Sequence, residues 1–221
     1  MSLAQDLKDV AARAEKHIPP ELLKSLQKSI DDLERSGIAQ RALKAGDLAP
    51  AFTLPNAQGR PTALMDLLQR GALIVSFYRG LWCPYCNVEL RAYQRVLSEI
   101  RALGATLVAI SPQTPDRSAA TAAENGIEFE VLSDHRNEVA AHYGLAYDAP
   151  QAVRTITEKF GHHLSDYNGS DDWRLPISAT YVISPSQRII LANVDPDFRR
   201  RLDPNDVLTA LQRHTDDRQV A

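Results

Sequence analysis

Two side chains stand out for chemistry. Cys83 and Cys86 are the only cysteines in 221 residues, and they lie three positions apart in Trp82-Cys83-Pro84-Tyr85-Cys86. The pair follows a continuous apolar run rich in β-formers (72–78, ALIVSFY). It precedes a segment in which Leu90, Tyr93, Val96, Leu97 and Ile100 recur at helical spacing, which predicts a buried strand and then a helix over 87–100. The first turn of a helix presents free N–H groups and the positive end of the macrodipole, and both stabilise a thiolate. A thiolate is the nucleophilic form of cysteine. A second cysteine one turn away shares its face and can attack a mixed disulfide or a sulfenic acid formed by the first. The spacing therefore suits dithiol–disulfide exchange or peroxide reduction. A closed structural zinc site would need four ligands, and no second C-x-x-C exists. His162 and His163 follow no finger spacing. Two inert core cysteines fit poorly with an ordered Trp-Cys-Pro-Tyr-Cys loop.

The rest of the chain must position this pair. Residues 1–45 read as a polar helical arm in which Leu22, Leu23, Leu26, Ile30 and Leu33 form one stripe after Pro19-Pro20, with Gly37 as a stop. The stripe is read as packing on the main domain, with dimerisation the sharper alternative. From Gly46 the texture becomes Pro/Gly-rich, as in a small hairpin. Further strands are predicted over 105–111, 129–133, 179–184 and 188–194, the last two as a hairpin, and helices over about 116–124, 137–144 and 204–213. Residues 145–175 read as irregular and polar, with 161–175 long enough to act as a lid. Strand–helix alternation followed by a hairpin and a helix describes a mixed-sheet α/β domain over 46–221.

Composition narrows the classes. Apolar residues make up 44% and charged residues 24%, ordinary for a globular chain. Twenty-five Lys+Arg against 28 Asp+Glu leave a net charge of −3, so no general electrostatic case exists for nucleic acid or an anionic membrane. No apolar run is long enough to span a bilayer and no signal peptide is visible. The expectation is a cytoplasmic chain, where a lone local cysteine pair is chemical rather than structural. No Gly-rich phosphate loop appears, and neither cofactor nor metal is expected.

Several pieces now form a recognisable frame: Gly46-Asp47 with Pro50, Phe52 and Leu54, then SFY at 76–78, VAISPQ at 108–113, FEVLSD at 129–134 and ATYVIS at 179–184. In order and spacing this resembles the peroxiredoxins of the alkyl hydroperoxide reductase/thiol-specific antioxidant group, over about 46–213, and YRGLWCPYC resembles a branch with a thioredoxin-type pair. The resemblance implies a thioredoxin fold, a mixed sheet flanked by helices, here with an N-terminal helical extension. Aligned from Phe77-Tyr78, Cys86 falls on the peroxidatic position. Arg79 then stands where the family has Pro, Cys83 where it has Thr, and Ser178 where it has a late Arg. Thioredoxins place a cis-proline at that same late position, and here the nearest proline is Pro176.

Two orders of attack stay open. By thioredoxin logic Cys83, nearer the helix start and more exposed, attacks and Cys86 resolves. By peroxiredoxin alignment the roles reverse. Arg79 could stabilise a thiolate or a leaving oxygen, with a solvated loop arginine the marginally preferred reading. Trp82 could shape a substrate face or simply pack. Tyr85 could donate a hydrogen bond, with packing or exposure the preferred reading. Ser178 and Thr180 are expected beside the pair if the fold holds. Glu89, one turn past Cys86, is read as a solvated helix carboxylate rather than a proton relay. The histidines are read as surface groups. The first functional reading is reduction of hydroperoxides through a Cys83/Cys86 cycle recycled by a thioredoxin-like reductant. The second is thiol–disulfide exchange on protein or small-molecule disulfides. The third is a redox sensor without turnover. A second copy of the chain is a further expected partner.

Overall fold

The computed structural model describes residues 2–220, so Met1 and Ala221, the outer ends of the two expected segments, lie outside the described residues. The arm forms helices α1 (Leu3–His17), α2 (Pro20–Arg35) and the short α3 (Ile38–Arg41). Ser2 caps α1, its backbone and hydroxyl oxygens both taking the Gln5 N–H. A small hairpin follows, β1 (Thr53–Pro55) with β2 (Pro61–Ala63), and then α4 (Leu64–Leu68). Next come β3 (Ala72–Phe77), α5 (Pro84–Arg95), α6 (Leu97–Ala102), β4 (Ala105–Ser111), α7 (Pro115–Asn125), β5 (Glu130–Ser133) and α8 (Glu138–His142). The helix predicted over 87–100 thus begins earlier, at Pro84, and breaks at Val96, which leaves helical geometry (φ −108°, ψ 11°).

The region expected to be irregular is the largest departure from the sequence reading. It contains β6 (Ala146–Asp148), α9 (Gln151–Lys159), α10 (Leu164–Asn168) and β7 (Arg174–Pro176), with β6 and β7 paired antiparallel. Ala149, Val153, Leu164 and Leu175 form a small core of their own, joined by Leu26, Trp82, Tyr147 and Trp173. Its strands are three residues each and α10 five, too short for a sequence period to show, and the amphipathic α9 buries its face against α2.

The hairpin β8 (Ala179–Ile183) and β9 (Ile189–Val194) completes the sheet, and α11 (Pro204–Val220) closes the chain. The five-stranded order is β5-β4-β3-β8-β9, with β4 parallel to β3 and β5 and β8 antiparallel to β3 and β9. The parallel half is joined by helical crossovers and the antiparallel half by a tight turn, as the elements require. This is the expected thioredoxin fold. On one face Ile74, Tyr78, Leu107 and Val182 pack under Leu90, Tyr93 and Ile100, with Val207 and Leu211 of the last helix. On the other, Val75, Phe77, Ile110 and Tyr181 pack with Leu64, Leu67 and Tyr143.

The arm lies on this body. Leu3 and Val10 of α1 join the first face, and Asp6 pairs with Arg95 of α5 at 3.0 Å. In α2, Ile30 is buried, while Leu26 and Leu33 pack on the small core and the second face. The stripe therefore faces inward in one chain. Replacing Ile30 by Ala is expected to lower unfolding free energy by about 2–5 kcal/mol through the cavity left behind. Lys28→Ala on the outer face is expected to change it by less than about 0.5 kcal/mol. Urea denaturation reads both, and equal effects would show that the stripe is not held against the body.

Candidate active site

The strand β3 ends at Phe77, and Tyr78 continues its line, with its N–H on the Ile110 carbonyl at 2.9 Å. The chain then turns through Arg79-Gly80-Leu81-Trp82 into α5. Gly80 has φ +143°, and a Cβ there would sit 2.5 Å from Trp82 Nε1, so the turn requires glycine. The turn is pinned from the neighbouring loop. The buried Gln113 takes the Leu81 N–H at 2.7 Å and donates to Thr121 Oγ1 at 2.8 Å and Tyr78 OH at 3.2 Å. Asn87 Nδ2 donates to the Leu81 carbonyl at 2.7 Å. Cys83 is the N-cap of α5, Pro84 occupies the position where a missing N–H costs nothing, and Cys86 lies in the first turn.

Both sulfurs are sealed: Cys83 is 1% exposed and Cys86 0%. The expectation that Cys83 is the exposed partner is corrected, because Trp82 packs beside it and Phe198 lies across the neighbouring Arg79. Arg79 is buried as well, not a solvated loop residue. Its guanidinium lies 4.7 Å from the Trp82 ring and 4.1 Å from the Phe198 ring. Its Nη1 approaches Cys83 Sγ at 3.9 Å, and its backbone N–H points at Cys86 Sγ at 3.5 Å.

A second guanidinium arrives from a distant part of the chain. Arg201, between β9 and α11, places Nη2 3.5 Å from Cys86 Sγ and Nε 2.7 Å from Glu89 Oε2. Its Nη1 is held by the Phe198 and Arg200 carbonyls. The Arg201 and Glu89 side chains are 2% and 3% exposed, so Glu89 is not the solvated carboxylate that its helical position suggested. The sequence reading missed Arg201 and Phe198. The only signal was a run of three arginines in a stretch without helical period, which usually marks a solvated loop.

The electrostatics follow from this burial. For Cys83, burial raises the pKa, but the hydrogen bond from Cys86, then Arg79 and Arg201, outweigh it and bring it down to about 6. Cys86 is pushed well above its ordinary value by burial and by the charge that Cys83 carries. The pair therefore loses one proton readily and holds the second. Burial lifts the Glu89 carboxyl to about 7 even with Arg201 beside it. Burial opposes the charge on Arg201, yet Glu89 and both sulfurs more than offset this and keep it cationic.

The remaining expected residues are placed as follows. Tyr85 is buried with its ring edge-on to Phe198 at 5.6 Å, and burial raises its phenol pKa. Ser178 continues β8 beside Tyr78, buried, its Oγ without a partner among the described residues. Thr180 lies two residues on and is engaged by Tyr93 OH at 3.2 Å under α5, so its hydroxyl serves the helix–sheet contact rather than the sulfurs. Trp82 Nε1 and Arg79 Nε also have no partner among the described residues. The lid expected over 161–175 does not supply the side chains that touch Arg79 and Cys86; those come from 198 and 201.

A thioredoxin-fold sheet that delivers two thiols to the start of a helix, with guanidinium groups against them, defines a thiol-based redox protein. The AhpC/TSA family model matches residues 45–192, and the chain belongs to that family. A putative peroxiredoxin of Mycobacterium tuberculosis is 37% identical over 114 residues, 52% of this chain and 72% of that protein. Peroxiredoxin Bcp of Escherichia coli is 31% identical over 103 residues, 47% of this chain and 65% of Bcp. Among solved structures, peroxidoxin BcpB of Mycobacterium tuberculosis superposes with a TM-score of 0.60 at 22% identity, covering 77% of this chain and 97% of that one. Peroxiredoxin Q of Xanthomonas campestris gives 0.57 at 18% identity, covering 74% and 90%. The family match begins where the arm ends.

Two outcomes test the electrostatics. The ultraviolet absorbance of thiolate in the reduced protein is expected to rise with a midpoint near pH 6, one thiolate per chain, and the midpoint should move up in Cys86→Ala, which removes the hydrogen-bond donor. A wild-type midpoint near 9, the ordinary thiol value, would contradict this account. Arg201→Met should cost about 3–5 kcal/mol of stability by leaving Glu89 buried and unpaired. Adding Glu89→Gln to that variant should recover part of the loss, measured by thermal and chemical denaturation.

Proposed function

We propose that this chain is a thiol peroxidase that reduces hydroperoxides with Cys83 as first nucleophile and Cys86 as resolving thiol. The observation that carries the reading is a buried pair of thiols at the start of α5, Cys83 at its cap and Cys86 in its first turn, flanked by two buried guanidinium groups. The Cys83 thiolate attacks the terminal peroxide oxygen, the O–O bond breaks, and Cys83 becomes a sulfenic acid. The other oxygen leaves as alkoxide or hydroxide and takes up a proton to give an alcohol or water. Arg79 and Arg201 offset the negative charge that develops on it. Cys86 then attacks the Cys83 sulfur, water departs, and a Cys83–Cys86 disulfide forms. A thioredoxin-like dithiol returns two electrons and two protons. We place this cycle in the cytoplasm, with 1–45 as an arm on the catalytic domain 46–221, and with a homodimer as an assembly still to be measured.

A second order of attack has its own support. The Arg79 N–H and Arg201 Nη2 both point at Cys86 Sγ, which suits Cys86 as the peroxide-reacting sulfur, as the family alignment has it. The N-cap placement of Cys83 equally suits exchange with a disulfide substrate. One set of measurements separates these readings. Reduced protein is mixed with hydrogen peroxide, with an organic hydroperoxide and with an oxidised protein disulfide, and second-order rates are compared. Faster reaction with a peroxide, loss of that phase in Cys83→Ser, and a sulfenic acid trapped on Cys83 in Cys86→Ser are expected. A sulfenic acid on Cys86 in Cys83→Ser at the wild-type rate would reverse the order. Reaction with the disulfide alone would replace peroxide reduction by thiol–disulfide exchange.

A further inference from the structure

The two sulfurs are inaccessible, yet any turnover requires a substrate and then a larger reductant to reach them. The segment 195–202 between β9 and α11 forms part of the cover, with Trp82 beside it. Phe198 lies over Arg79 and against Tyr85, and Arg201 spans Cys86 and Glu89. This segment is attached by side chains. Among the described residues its one backbone–backbone hydrogen bond outside regular elements is internal, from Arg200 N–H to the Asp197 carbonyl at 2.9 Å. The buried Asp197 holds Arg199 in a two-point contact at 2.7 and 2.8 Å. Two further contacts run outward to the arm: Arg199 Nη2 to Gln27 Oε1 at 2.8 Å and Arg200 Nη1 to Glu34 Oε1 at 3.1 Å. Between segment and arm runs a narrow apolar cleft lined by Leu26, Ile30, Leu33, Tyr147, Val153 and Phe198.

We propose that segment 195–202 is a strap over the dithiol, that Gln27 and Glu34 of α2 latch it, and that it opens along the apolar cleft to admit reaction partners. The arm is thereby part of the site rather than an appendage. The latch acts at one remove: residues adjacent to Arg201 are tied to α2, so α2 sets how long Arg201 stays on Cys86. Because the segment is anchored by side chains, opening it breaks the Arg201–Glu89 pair and the contacts to Gln27 and Glu34 while leaving the sheet beneath intact.

This inference extends the peroxidase reading, and its test needs no peroxide. The accessibility of the reduced thiols is read from their reaction rate with a bulky aromatic disulfide reagent in the folded protein. Gln27→Ala combined with Glu34→Gln removes two surface contacts and leaves the dithiol residues untouched. It is expected to speed that reaction by about two- to fivefold, the scale of exposed polar pairs, with an unchanged circular dichroism spectrum. Hydrogen exchange of peptides covering 195–202 is then compared between the reduced wild type and the reduced double variant. Faster exchange of 195–202 in the variant is expected. An unchanged thiol reaction rate in the double variant, or equal exchange of 195–202 in the two proteins, would overturn the latch. Failure of peroxide turnover with both results intact would count against the peroxidase reading and not against the strap.

Discussion

Charge buried without water must be answered by charge or by donors placed around it, and this requirement organises the site. Two guanidinium groups, a carboxyl and two sulfurs occupy one sealed volume at the start of α5. None is tolerable there alone. Arg201 needs Glu89 and the sulfurs to stay buried as a cation, and Glu89 needs Arg201 to ionise at all near neutrality. The thiol that ionises does so because the second thiol and the two cations are already in place. Lowering a thiol pKa inside hydrocarbon is thus a property of the assembled cluster and not of the cysteine.

The surrounding architecture serves to hold these groups still. The turn at Gly80 passes too close to Trp82 for any other residue, and Gln113 fastens the next peptide from a neighbouring loop. Helix α5 is clamped from beneath by Tyr93 on Thr180 and from the side by α1 through Asp6 and Arg95. A site whose reactive atoms are fixed by side chains from four separated stretches of chain gains preorganisation. It also becomes dependent on contacts far from the chemistry, among them those of the arm.

The family frame and the unusual pair pull in different directions. The AhpC/TSA match covers 45–192, the stretch that holds the sheet and the cysteine pair. Where the resemblance leads one to expect Thr and a late Arg, this chain has Cys83 and Ser178. The cationic groups are present all the same, supplied as Arg79 from the loop and Arg201 from beyond β9. A positive environment around the sulfurs can be built from different points of the same scaffold, because what matters to a thiolate is the distance and burial of the charge, not its address in the chain.

The amino-acid sequence was sufficient for the cysteine spacing, the strands around 72–78, 105–111 and 179–194, and the helix that starts at the pair, since these rest on local periodicity and on glycine and proline punctuation. It was sufficient for Arg79, Trp82 and Tyr85 as neighbours of the sulfurs, because short chain separation forces proximity. The tertiary structure decided the rest. It turned Glu89 inward, brought Arg201 across from 115 residues away to Cys86, built a small core from a stretch that looked irregular, and laid α2 against the strap. No local pattern records such events. A buried ion pair and a solvated one are written with the same residue types, and only the packing of distant segments determines which of them meets water.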